Sequence, residues 1–117
     1  MFQRVFMVPQ FEGELKKLFG KSKKELDNYK FYLLSKLQFI DQTDQHFSDY
    51  PFEHLHDDRA DLFRIRSKSN KKNVRVIYYY RIDESIILLC AFEEKSPSDY
   101  QNNITIALKR IKEIERE

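Results

Sequence analysis

Leu62–Ile82 reads LFRIRSKSNKKNVRVIYYYRI, and the arrangement of the whole chain follows from it. Both flanks alternate with the two-residue period of a strand. Leu62, Arg64, Arg66 and Lys68 fall on one side of the first flank, with Phe63 and Ile65 on the other. In the second, Val74, Val76, Tyr78, Tyr80 and Ile82 oppose Arg75, Ile77, Tyr79 and Arg81. The polar segment Ser67–Asn73 between them suits a hairpin connection. Seven basic residues and no acid lie in the stretch, leaving 14 basic against 19 acidic residues elsewhere in a chain of net charge +2. The result is a local positive field on a mildly acidic body, the form taken by a surface for phosphate. Closing the hairpin brings Arg64, Arg66, Arg75 and Tyr79 onto one face. Guanidiniums sharing a face repel one another, and an anion is the simplest compensation. Solvation on the open face of an antiparallel sheet accounts for the same pattern.

The 117 residues suffice for one domain with its own core, and residues 1–117 are read as a single domain. Only two glycines and three prolines leave no room for a flexible linker. The single Cys90, inside the apolar run Ile86–Phe92, excludes an internal disulfide and points to a reducing compartment and an inert buried thiol. The opening MFQRVFMV is too short and polar for a signal peptide, and nothing approaches a membrane span. A cytoplasmic protein without membrane contact is the expectation.

Taken in order, Gln3–Val8 alternates as a short strand stopped by Pro9. Phe11, Leu15, Leu18 and Phe19 follow at helical spacing before Gly20. Ser22-Lys-Lys-Glu25 is a capping box. It opens a second helix whose apolar stripe is Leu26, Tyr29, Leu33, Leu37 and Ile40, widened by Tyr32, Leu34 and Phe39, and which fades between Asp41 and Phe47. Ser48–Ala60 is the least regular part. Its His54-x-His56 pair, with His46 upstream, lacks cysteine or carboxylate partners at ligand spacing, so no metal and no cofactor are expected. Asp83-Glu84-Ser85 makes a tight reversal, and Ile86–Phe92 is a strand covered on both sides. Ser96, Pro97 and Asp99 start a last helix. It buries Ile104, Ala107, Leu108, Ile111 and Ile114, and solvates Lys109, Arg110, Lys112 and Arg116. The fold class is α+β: a small antiparallel-rich sheet of about four strands, two N-terminal helices and a C-terminal helix, in the order β-α-α-β-β-β-α.

These residues carry a resemblance. Leu55, Leu62-Phe-Arg-Ile-Arg66, Val74-Arg75-Val76, the acidic turn and apolar strand from Asp83 to Phe92, Glu94-Lys95-Ser96 and Ala107-Leu-Lys-Arg110 stand in an order and spacing similar to the RelE/ParE superfamily of bacterial toxins. The likeness leans toward the HigB and phage-derived branch, and Phe11–Leu18 resembles that family's N-terminal helix. No one motif is specific; their order and spacing together are. The resemblance implies a RelE-like fold and a toxin of a type II toxin–antitoxin pair, with a cognate antitoxin as partner. It further implies cleavage of mRNA, on the ribosome, by attack of the RNA's own 2′-hydroxyl on the adjacent phosphate. A ParE-like inhibitor of a protein such as DNA gyrase, and a catalytically inactive relative, are the alternatives.

Residue by residue, the resemblance makes Arg66, Arg75, Lys95 and Tyr100 the catalytic candidates, and Arg64 a basic position of the second strand. The positive stretch adds Lys68, Lys71, Lys72, Tyr79 and Arg81 as RNA-binding candidates. Arginine stays charged and grips phosphate oxygens in a two-point fork, which suits Arg66 and Arg75 to the extra charge of a pentacoordinate phosphorus. Lys95 would protonate the leaving 5′-oxygen, and Tyr100 would stack on a base or move a proton. Glu94, His54 and His56 are the candidates for the general base. Two departures stand out: Glu94-Lys95 replaces the family's paired lysines, and Arg64 replaces the first-strand acid of the HigB branch.

Overall fold

In the computed structural model, which describes residues 2–43, 51–66 and 72–116, five strands form one mixed sheet with helices against both faces. The chain runs β1 (Val5–Met7), α1 (Phe11–Phe19), α2 (Lys23–Asp41), β2 (Phe52–His54), β3 (Leu62–Arg66), β4 (Val74–Tyr80), β5 (Ile86–Glu93) and α3 (Pro97–Glu115). In the sheet the order is β1-β5-β4-β3-β2; β1 lies parallel to β5 and every other pairing is antiparallel. The α+β expectation holds. The strand count does not: β2 lies in the stretch read as irregular, where Pro51 and the acids masked a three-residue alternation too short to register.

Register sorts the side chains. Across β3 and β4, Arg66 faces Arg75, Arg64 faces Ile77 and Leu62 faces Tyr79; Arg75 in turn faces Phe92 of β5. That face meets α3, whose Tyr100 ring stands edge-on to Phe92 at 5.6 Å. The other face carries Phe52, Phe63, Ile65, Val76 and Tyr78. There Phe39 of α2 stacks on Phe52 at 6.0 Å, and Phe63 stacks on Tyr78 at 5.5 Å. With a helix on each side, β4 is buried along its whole length and β5 along all but its last residue. This is why both read as apolar runs interrupted only where a polar group has a partner.

Helix ends follow local chemistry. Gly20 takes φ 55° to stop α1, and the Ser22 side chain accepts the Glu25 N–H at 3.3 Å to start α2. The far end of α2 is closed by a residue its own sequence does not contain. Arg4 donates from Nη2 to Ile40 O at 2.6 Å and from Nε to Asp41 O at 3.2 Å, while the Asp41 carboxylate accepts the Arg4 N–H at 2.7 Å. The widened stripe of α2 is corrected: Leu34 and Phe39 are about half exposed, because the helix rests on the sheet along Tyr29, Leu33, Leu37 and Ile40.

Candidate functional site

The β3–β4 hairpin delivers its arginines to one face, and two carboxylates come with them. Glu53 of β2 lies opposite Arg64 in the register and accepts its Nε–H at 2.7 Å. Glu94, one residue past β5, accepts the Arg75 Nε–H at 2.9 Å and lies 3.7 Å from Arg64 Nη1. Arg75 also donates to Val74 O at 3.3 Å. Its buried guanidinium is only 9% exposed, so it meets Glu94 rather than solvent. Arg66, half-buried, is Arg75's direct cross-strand partner. Arg64 and Arg75 are each paired with a carboxylate, where seven basic residues without an acid suggested an open cationic face. Sequence reasoning missed Glu53. The only available signal was its place in β2, a strand too short to recognise.

Tyr100 closes the cluster from α3, with the Arg64 guanidinium 5.0 Å above its ring. Burial pushes the Tyr100 hydroxyl up to about 12, and nearby Arg64 pulls the other way without cancelling it. At neutral pH the phenol is protonated. Burial also works against the charge on Arg64, but the hydrogen bond to Glu53 and neighbouring Tyr100 outweigh it, so Arg64 stands above the usual arginine value.

Other candidates lie apart. Lys95 is 74% exposed and leans toward Glu93 at 3.8 Å; Glu93 pairs with Val74 on the face opposite the arginines. Lys72 reaches back to the Leu18 carbonyl and over the Phe19 ring of α1. Tyr79 donates to Glu115 at 3.1 Å and Arg81 lies 3.5 Å from the same carboxylate, so both anchor the far end of α3. At the rise of a strand Arg81 is about 20 Å from Arg75. Lys68 and Lys71 lie outside the described residues. His54 shares the face of Phe63, away from the arginines, which removes it as their base. Cys90 is buried, its thiol pushed up to about 12 by that burial. No group of three or more His, Cys, Asp or Glu suited to a metal occurs among the described residues.

A profile of the phage-derived Gp49-like protein family matches residues 14–112. The chain belongs to that family. The Gp49-like proteins are of RelE-like toxin type, so this chain is a toxin-like member whose family implies a cognate antitoxin partner. The match spans α1 through most of α3 and thus takes in the arginine–glutamate cluster. No curated protein and no solved structure matches the chain. No helix among the described residues of this Gp49-like chain is long and apolar enough to cross a membrane.

Proposed function

We propose that this Gp49-like toxin is an RNA endonuclease, acting on mRNA at the ribosome. The observation that carries the reading is the cross-strand Arg66–Arg75 pair with the Glu94 carboxylate held 2.9 Å from Arg75. Arg66 grips the scissile phosphate and offsets the charge that builds on its oxygens. Glu94 takes the proton from the 2′-hydroxyl as its oxygen bonds to phosphorus. The bond to the 5′-oxygen then breaks, and that oxygen takes a proton from solvent. The products are a 2′,3′-cyclic phosphate and a 5′-hydroxyl, with no water consumed. Arg75, buried as it is, positions Glu94 rather than touching RNA. Arg64 rests on Tyr100 and steadies the opposite side of the carboxylate.

One observation favours a second reading. Arg64 and Arg75 are each already paired with a carboxylate, which suits a non-catalytic toxin that blocks a protein target. Mapping RNA ends after brief expression separates the two. The endonuclease reading expects new 5′-hydroxyl ends within transcripts, reduced about 10²–10⁴-fold by Glu94→Gln and strongly by Arg66→Ala. Arg75→Lys keeps the buried charge and lowers the rate without unfolding the protein. Intact transcripts during growth arrest would establish the inhibitor instead.

A further inference from the structure

The connection from α1 to α2, Lys16-Lys-Leu-Phe-Gly-Lys-Ser-Lys-Lys24, holds five lysines in nine residues, and no acid lies between Glu14 and Glu25. All five lysines are exposed, and none makes an ion pair among the described residues. The acids just upstream are already engaged: Glu12 holds Lys30 at 2.6 Å and Glu14 holds Arg110 at 2.8 Å. Residues 16–24 and 62–82 together gather twelve basic residues in two acid-free stretches, against nine basic and 19 acidic residues in the rest of the chain. Gly20 at φ 55° and the Ser22 N–H bond to Phe19 O at 3.0 Å reverse the chain tightly, so the five lysines share one corner. Helix stability accounts for only some of them. Lys16 and Lys17 stand in the last turn of α1, where cations suit the helix dipole, but Lys23 and Lys24 open α2, at the end that favours acids.

The two stretches touch. Lys72 of the β3–β4 hairpin donates to the Leu18 carbonyl and lies 5.6 Å from the centre of the Phe19 ring. The next residue, Asn73, accepts the Glu94 backbone N–H at 2.9 Å. Two consecutive hairpin residues therefore join the lysine corner to Glu94, and both lie at the end of the sheet where Arg66 faces Arg75. We propose that the corner formed by residues 16–24 is a second RNA-contact surface. It grips backbone phosphates of the strand running past the cleaved nucleotide, and adds affinity without entering the chemistry. The choice of RNA as the polyanion rests on the endonuclease reading. An ammonium on a flexible stem meets phosphate as a point charge and carries no base preference, so binding here is blind to sequence. Each phosphate it neutralises releases counterions, which makes the contribution dependent on salt.

Anisotropy titrations of the full chain with fluorescein-labelled 2′-O-methyl RNA, a single strand lacking the attacking hydroxyl, test the surface across a series of salt concentrations. The slope of log affinity against log salt should become shallower by about 0.7 for each contacting lysine removed, in Lys16→Gln/Lys17→Gln and again in Lys23→Gln/Lys24→Gln. Lys109→Gln/Lys112→Gln removes the same charge from exposed positions of α3 and leaves the slope as it was. Mapping RNA ends after brief expression reports on cleavage separately. Lysine-dependent binding without cut transcripts would retire the endonuclease reading and keep the surface. Unchanged slopes in both α1–α2 pairs, or an equal change in the α3 pair, would overturn the surface whether or not transcripts are cut. So would a parent chain that prefers polyglutamate to RNA, which would assign these lysines to an acidic protein.

Discussion

Arg75 shows how burial changes the meaning of a charge. On paper it is one of seven cations in an acid-free stretch; in the molecule it is sealed under the sheet's partner helix and matched by Glu94. Desolvating a guanidinium is costly unless a carboxylate and hydrogen bonds meet it, so the fold brought one. Tyr100 follows the same logic. It packs on Phe92 and beneath Arg64, and its hydroxyl is held protonated by burial. Its contribution is therefore the ring. Tyr100→Phe should keep RNA cleavage within a few-fold of the parent, whereas Tyr100→Ala should lose both cleavage and stability. In vitro cleavage rates beside thermal melts would check this, and a collapse of activity in Tyr100→Phe would return the phenol to the chemistry.

β5 has an outer edge that β1, three residues long, covers only from Ile86 to Leu88. Past that point side chains replace the missing strand. Glu14 of α1 accepts the Ala91 N–H at 3.2 Å, and Arg110 of α3 donates to Leu89 O at 2.7 Å. The two side chains then pair with each other at 2.8 and 3.0 Å. One ion pair satisfies an exposed strand edge at a register irregularity and ties both helical layers to it. Arg110, read from the sequence as part of a solvated face, is instead only 14% exposed. Arg110→Ala should destabilise the fold by about 1–3 kcal/mol, the cost of leaving buried polar groups unsatisfied. The same change at Lys109 should do almost nothing. Urea unfolding of the two variants makes the comparison.

Taken whole, the protein carries an unusual load of ionisable groups in its core. Burial raises Tyr79, Tyr100 and Cys90 to about 12 and pushes Tyr29, Tyr78 and Tyr80 up as well. In the unfolded chain these groups ionise near about 10 for tyrosine and about 8.5 for cysteine. Their folded values are the higher ones, so at alkaline pH the native state holds more protons than the unfolded state. Stability is then fully present below about pH 8 and falls as pH climbs from about 8.5 toward 12. Urea midpoints at pH 7.5, 9.5 and 10.5 should decline in that order, and a flat profile would contradict the burial assigned to these hydroxyls.

Elements and their faces could be read from residue order because they depend on local periodicity and capping. The hairpin alternation that put Arg64, Arg66 and Arg75 on one side, Gly20 and Ser22 at the helix boundary, and the apolar run of β5 are all consequences of neighbours a few positions apart. Glu53 beside Arg64, Glu94 beneath Arg75, Arg4 on the end of α2, and Glu14 with Arg110 on the edge of β5 join residues 11 to 96 positions apart. No local pattern encodes such pairings. They arise because a charge buried by packing must find its counter-charge wherever the folded chain places one, and so the character of the cluster, a paired cation–carboxylate site instead of a bare cationic face, was settled only on folding.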